Sequence, residues 1–116
     1  MKKPVRVKYA PAFEAGLEAL RSSAADNKFN QQLLKAIERE KDSIKANPHR
    51  GIQVQKRLIP QEYIEKYGIT NLWKINLPDF WRMLYTITGT EIEIIAIMLE
   101  FMNHKSYDKK FGYRKK

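Results

Sequence analysis

The sequence lacks cysteine altogether, so a disulfide framework, a thiolate metal site and a cysteine nucleophile are all excluded. Long apolar runs are also absent, because the longest, Ile94 to Leu99, is far shorter than the roughly 20 residues that a transmembrane helix needs. The basic N-terminal segment is interrupted by Pro4, Arg6 and Lys8, and the apolar stretch of a signal peptide does not follow it. We therefore expect a cytoplasmic protein that is neither secreted nor embedded in a membrane.

Acidic residues are scarce relative to basic ones, with 13 Asp and Glu against 22 Lys and Arg and a formal net charge of +9. Such an excess attracts polyanions, so nucleic acid is the first partner to consider, ahead of an acidic protein or an anionic membrane surface. The alternative is that the charge serves solubility alone. The chain has 116 residues, of which 43% are hydrophobic, and this suffices for one core, so we expect a single domain over 1–116.

Hydrophobic periodicity predicts one strand and two helices in the first part of the chain. Alternation over 5–9 predicts a short strand near a sheet edge. Apolar residues at helical spacing predict a helix over 11–23 and a second helix that is capped by Asp26 or Asn27 and ends at Asn47. Both helices have one apolar face, which indicates that they pack against the rest of the fold.

The remainder of the chain has the pattern of an antiparallel sheet. Segment 51–59 is ambiguous between strand and loop, and 60–68 predicts one or two helical turns. Three β segments joined by short turns follow, over 71–77, 80–88 and 91–101. The expected fold class is α+β, in the order β-α-α-β-β-β, with a mainly antiparallel sheet and the two N-terminal helices on one face. Residues 103–116 read as a polar C-terminal tail that is partly flexible.

Arg82 lies inside a strand that is otherwise apolar, which requires an explanation. Because side chains alternate across a strand, Arg82 and Lys74 emerge on the sheet face away from the two helices. That face can therefore hold a wet, positively charged groove. In the alternative interpretation, Arg82 pairs with Asp79 or Glu93 and has only a structural role. The residues predicted to face the helices are Trp73, Ile75, Leu77, Met83, Tyr85 and Ile87.

The segments "LWKINLP", "WRMLYTI" and "EIIAIMLEFMNHKSY", in this order after a strand and two helices, resemble the RelE/ParE toxin superfamily of prokaryotic toxin-antitoxin systems. The resemblance covers most of the chain and is weakest over 51–70. It implies a RelE-like fold and a toxin that cleaves messenger RNA on the ribosome. It also implies an antitoxin protein that holds the toxin inactive, so the expected partners are an antitoxin and ribosome-bound mRNA.

The resemblance assigns candidate site residues position by position. Arg82 matches the family's catalytic strand arginine, and Lys74 lies near the basic residues of the preceding strand. The positions of His104, Lys105 and Tyr107 match those where members carry C-terminal basic and aromatic catalytic residues, although their spacing does not match any one member. These five residues form the predicted site.

Metal-free RNA cleavage by the 2′-hydroxyl requires a proton acceptor, stabilisation of the charged phosphorane and a proton donor for the departing 5′ oxygen. His104 is the candidate general acid or base, because imidazole is the side chain most often used for proton transfer near neutral pH, and the planar, permanently charged Arg82 is suited to stabilising the phosphorane. Lys74 and Lys105 would position the RNA backbone, and Tyr107 would stack on a base or donate a proton. The two histidines and the carboxylates have no convincing metal-ligand spacing, so we expect neither a metal nor a cofactor.

Basic residues of the C-terminal segment are interpreted as an electrostatic strip for RNA, the ribosome or an acidic antitoxin. The predicted RNA-binding residues are Lys105, Lys109, Lys110 and Arg114. Two other functions stay open: a ParE-like inhibitor of DNA gyrase, which needs no catalytic cluster, and a non-catalytic module that binds nucleic acid or protein. The individual residues also have structural alternatives: His104 as an ordinary surface histidine, and Tyr107 as an aromatic residue that pins the tail onto the sheet.

Overall fold

Residues 3–112, which the computed structural model describes, form a five-stranded sheet and four α-helices, and the expected α+β class is confirmed. The strands are β1 (Val5–Tyr9), β2 (Ile52–Gln53), β3 (Trp73–Asn76), β4 (Arg82–Gly89) and β5 (Ile94–Met102). The helices are α1 (Pro11–Ala24), α2 (Lys28–Ala46), α3 (Gln61–Tyr67) and α4 (His104–Phe111). No helix within residues 3–112 is long and apolar enough to cross a membrane.

The strand order is β1-β5-β4-β3-β2, with β1 parallel to β5 and every other pair antiparallel. The expected meander of β3, β4 and β5 and the expected edge position of β1 are therefore confirmed. The ambiguous segment 51–59 contains the two-residue β2 at the opposite edge and a 3₁₀ turn at Lys56–Leu58. Its weak alternation reflects these short elements.

Helices α1 and α2 cover one face of the sheet and build the main core with it. Pro11 occupies the first turn of α1, where a backbone N–H is not needed. Asn27 caps α2, because its side-chain oxygen accepts a hydrogen bond from the Asn30 N–H at 3.0 Å. The predicted strand facing is confirmed, since the buried or partly buried sheet residues of this core include Trp73, Ile75, Leu77, Met83, Tyr85 and Ile87.

The opposite sheet face is covered as well, which corrects the expectation of a wet groove across it. Leu72, Leu84 and Leu99 are fully buried there. They belong to a second apolar cluster that the rest of the chain completes with Ala10, Val54, Ile59, Tyr63, Met102 and Tyr107. Only the polar positions of this face, such as Lys74 and Arg82, are left to form a charged site at its margin.

Helix α4 corrects the interpretation of 103–116 as a polar tail. Its N-terminus is capped by Asn103, whose side-chain oxygen accepts from the Ser106 N–H at 2.9 Å. Its C-terminus is closed by Gly112, whose φ of 74° is in the left-handed region. The two aromatic residues Tyr107 and Phe111 lie four positions apart, on one side of the helix, and pack on the second cluster. Residues 113–116, where chain flexibility was expected, lie outside the described part.

A register shift in the pairing of β4 with β5 determines which side chains at the end of β5 point toward α3 and α4. Leu84 pairs with Glu100 whereas Tyr85 pairs with Met98, so Leu99 is an extra residue in β5. Leu99 belongs to the second cluster, and because of the extra residue its neighbour Glu100 reaches the same side of the sheet, toward α3 and α4.

Candidate active site

The ring of Tyr107 in α4 contacts both cations that the sequence predicts for the sheet. The guanidinium carbon Cζ of Arg82 lies 5.3 Å from the ring centroid, and the Lys74 Nζ lies 5.4 Å from it. Both distances are within the range of cation–π attraction. The tyrosine itself is only 2% exposed. The fold thus brings Lys74, Arg82 and Tyr107 together from three different elements.

Arg82 is mostly buried at the start of β4, and its charge is not balanced by a carboxylate in the described chain. One guanidinium nitrogen donates to the carbonyl of Trp81 at 3.3 Å, while the buried Nε has no hydrogen-bond partner within residues 3–112. The alternative partners do not fit: Glu93 pairs with Arg6 at 2.8 Å, and Asp79 makes no ion pair with Arg82 among the described residues. The aromatic ring compensates only part of such a charge, so the arrangement favours an external anion.

His104 is the first residue of α4 and lies close to this cluster. Met102 pairs directly with Arg82 across the sheet, and His104 follows two residues later. The His104 side chain is 54% exposed, and its Nδ1 lies 3.6 Å from a carboxylate oxygen of Asp108. A three-residue spacing places His104 and Tyr107 on neighbouring sides of the helix. The imidazole is therefore open to solvent just beyond the end of β5 that pairs with Arg82.

The loop between β3 and β4 contributes an aromatic residue that sequence reasoning missed. Asp79 and Phe80 have φ values of 60° and 65°, which place both in the left-handed region. A non-glycine residue there costs about 1–2 kcal/mol. Phe80 is 67% exposed, and its ring centroid lies 6.1 Å from that of His104 in an edge-to-face arrangement. Only the tertiary structure reveals this neighbour, because the two residues are 24 positions apart along the chain.

The predicted RNA-binding lysines differ in their exposure and in whether they form ion pairs with carboxylates. Lys105 and Lys109 are exposed on α4. Lys110 instead forms ion pairs with Glu62 at 2.7 Å and with Glu100 at 3.2 Å. Burial alone would lower the pKa of Lys110, but its hydrogen bond to Glu62 and the charge of Glu100 outweigh burial and raise that pKa. Arg114 lies outside the described residues.

Glu100 also connects α4 to α3 through a hydroxyl group. The hydroxyl of Tyr63, a residue only 1% exposed, donates to Glu100 Oε2. Burial raises the pKa of Tyr63, and the hydrogen bond to the carboxylate raises it further. Tyr63, Glu100 and Lys110 form a group that attaches α4, and with it His104, to the body of the protein. The sequence carries no local signal for this group, because it depends on the extra residue in β5.

Metal-ligand geometry is not found in the described chain. Within residues 3–112, no group of three or more His, Asp or Glu side chains is placed to hold a metal ion.

Comparison with known proteins identifies the family. A family model described as the ParE toxin of type II toxin-antitoxin systems, parDE, matches residues 7–100. The chain belongs to this family of toxins, and the resemblance to the RelE/ParE superfamily is confirmed. The match includes Lys74 and Arg82 and ends before α4.

A solved structure shows the same fold. The chain is similar to a YoeB/ParE toxin from Agrobacterium tumefaciens, with a TM-score of 0.57 and 13% sequence identity. The alignment covers 85% of this chain and 98% of that chain. No curated protein matches the sequence. Membership of a type II toxin family implies an antitoxin partner, as the sequence led us to expect.

Proposed function

We propose that this toxin is a metal-independent endoribonuclease that cleaves messenger RNA on the ribosome. The observation that carries the proposal is the mostly buried Arg82 guanidinium, which has no carboxylate partner within residues 3–112, beside the exposed imidazole of His104. An RNA phosphate supplies the missing anion, and the planar guanidinium binds it with two parallel hydrogen bonds. The net charge of +9 favours the approach of RNA.

The proposed reaction is attack of the ribose 2′-oxygen on the adjacent phosphorus. The 2′-hydroxyl loses its proton, a 2′,3′-cyclic phosphate forms, and the 5′-oxygen leaves with a proton. His104 serves one of these proton transfers, since imidazole exchanges protons near neutral pH. Arg82 stabilises the negative charge that accumulates on the phosphorane, and Lys74 and Lys105 hold the flanking phosphates.

Tyr107 has a different role in this proposal from the stacking or proton donation that the resemblance suggested. Its ring is 2% exposed and lies against both Lys74 and Arg82. A base can stack on it only if α4 moves away. In the observed conformation, Tyr107 is therefore a positioning residue that holds the two cations in place.

The test compares His104→Ala and Arg82→Ala with matched surface variants. His49→Ala removes the second histidine, which is exposed and packs beside Trp73, and Arg39→Ala removes an exposed arginine of α2. We expect the two site variants to fold but to cleave translated messages about 10²–10⁴-fold more slowly, because His104→Ala removes a general acid or base and Arg82→Ala removes a group that stabilises the charged phosphorane. Growth inhibition should fall in parallel, whereas both controls stay toxic. Full toxicity and cleavage by both site variants would overturn the proposal.

Gyrase inhibition is the second candidate, and a specific observation favours it. The match to the ParE family model spans residues 7–100 and does not include the helix that carries His104 and Tyr107. A toxin that binds gyrase needs no catalytic histidine. Purified protein that blocks DNA supercoiling and leaves translated messages intact would establish this function instead. Salt-sensitive RNA binding without cleavage products would indicate a non-catalytic relative.

A further inference from the structure

In the loop between β3 and β4, the backbone conformation and the exposure of Phe80 are both unfavourable for stability. The loop is closed by a hydrogen bond from the Leu77 N–H to the Trp81 carbonyl at 2.8 Å. Both residues at its tip, Asp79 and Phe80, adopt left-handed φ angles that glycine adopts with less strain. The Phe80 ring is 67% exposed, so its burial does not offset this strain. Stability therefore does not explain a phenylalanine at this position.

The surroundings of the ring suggest a purpose. Four large hydrophobic side chains are exposed within residues 3–112, and Phe80 is the aromatic one among them. Its ring lies edge-on to His104, with centroids 6.1 Å apart and planes at 73°. Arg82 follows two residues later in the chain, and the exposed Lys105 follows His104 in α4. An aromatic surface in solvent thus borders the group that we propose acts on a phosphate.

We propose that Phe80 stacks on a nucleobase of the messenger RNA next to the cleaved phosphodiester. The proposal rests on the endoribonuclease function and adds the residue that recognises the base. Every base has a π face, and an unstacked base beside a bound phosphate lies within reach of an aromatic side chain. RNA is favoured over a protein ligand because cations that can hold a phosphate lie near the ring: Arg82 follows Phe80 by two residues, and the exposed Lys105 adjoins His104, the ring's neighbour, although Asp79 precedes the ring. Phe80 therefore contributes to substrate affinity, whereas His104 contributes to the chemical step.

The decisive variant is Phe80→Gly, because it removes the aromatic ring without an expected loss of stability. Glycine relieves the left-handed strain at this position, so the variant should be at least as stable as the natural protein in urea. Loss of one stacking contact should raise KM for cleavage of ribosome-bound message about tenfold or more, with kcat within about twofold. Phe80→Trp keeps an aromatic face and should keep the natural KM. Phe80→Leu is apolar without such a face and should resemble the glycine variant.

Asp79→Gly is the matched control. It relieves the same strain and adds the same loop freedom one residue earlier, while leaving the ring in place. Its KM should stay within about twofold of that of the natural protein.

Several results would overturn the inference. A natural KM for Phe80→Gly, a natural KM for Phe80→Leu, or a loss of stability in Phe80→Gly would each exclude stacking as the role of the ring. Loss of antitoxin or gyrase binding in Phe80→Gly with unchanged cleavage would assign the ring to a protein partner instead. If the natural protein itself cleaves no message, both the endoribonuclease function and this inference are wrong. Failure of the Phe80 variants on an active natural protein overturns the stacking role alone.

Discussion

The attachment of α4 through Glu100 is open to a quantitative test, because two carboxylates contact the same lysine in different surroundings. Glu100 lies 3.2 Å from the Lys110 Nζ, is 25% exposed and accepts the buried Tyr63 hydroxyl. Glu62 lies closer to the lysine, at 2.7 Å, but is 59% exposed. The perturbation is Glu100→Leu, and Glu62→Leu is the matched control. Distance alone would rank Glu62 as the more important partner.

The expected magnitudes reverse that ranking. Glu100→Leu leaves the buried Tyr63 hydroxyl without an acceptor, which costs about 1–3 kcal/mol. It also removes an ion pair to a partly exposed lysine, which contributes at most about 1 kcal/mol. We expect the free energy of unfolding to fall by about 2 kcal/mol in total. Glu62→Leu removes only an exposed ion pair, so its effect should stay below about 1 kcal/mol.

A double-mutant cycle assigns the difference to the hydroxyl. In a Tyr63→Phe background the buried donor is gone, so Glu100→Leu should cost about 1 kcal/mol less than in the natural protein. The assay is urea unfolding followed by the fluorescence of Trp73 and Trp81, with equal slopes required for all variants. Equal effects of the two carboxylate variants, or strict additivity in the cycle, would refute the reasoning.

Two further expectations concern the second cluster and the dependence of stability on alkaline pH. Leu84 is fully buried on the sheet face opposite α1 and α2. Leu84→Ala should therefore lower the free energy of unfolding by about 2–5 kcal/mol in the same urea assay. An effect below about 1 kcal/mol would show that this face is not a core. Stability should also fall as the pH rises above about 10. The pKa values of Tyr63, Tyr85 and Lys110 are all raised in the folded state, so the unfolded chain loses the protons of these three groups at lower pH than the folded chain does. Urea unfolding at several alkaline pH values measures this slope, and Tyr63→Phe should make it shallower; an identical slope would contradict the assignment.

Much of the fold was predictable because its signals are local. Alternation placed β1, β3, β4 and β5, and helical spacing placed α1 and α2 to within about one residue at most ends. The same alternation correctly assigned Arg82 and Lys74 to the face away from α1 and α2. Helix α4 was missed, although Asn103 and Gly112 are ordinary helix-capping residues at its two ends. Its polar composition resembled a tail, and only the apolar pair Tyr107 and Phe111 indicated a packed side.

The sequence proposed the members of the candidate site, which stay a prediction, and only the structure shows how they are arranged. The resemblance named Arg82, Lys74, His104 and Tyr107, and the fold places Lys74 and Arg82 against one buried ring. It did not indicate that this ring is covered, because burial depends on α4 and on segments distant in the chain. It also did not indicate Phe80, because the two rings of Phe80 and His104 come close only in the folded chain.

The sequence by itself determined the charge of the protein, the facing of its strands and its membership of a toxin superfamily, because composition, alternation and motif order are properties of the chain. Tertiary structure decided which charges are neutralised and which are not. Lys110 meets two carboxylates, whereas Arg82 meets an aromatic ring and no carboxylate within residues 3–112. The physical reason is register: the extra residue Leu99 turns Glu100 toward α3 and α4, and pairing of Arg82 with Met102 brings the start of α4 beside the arginine.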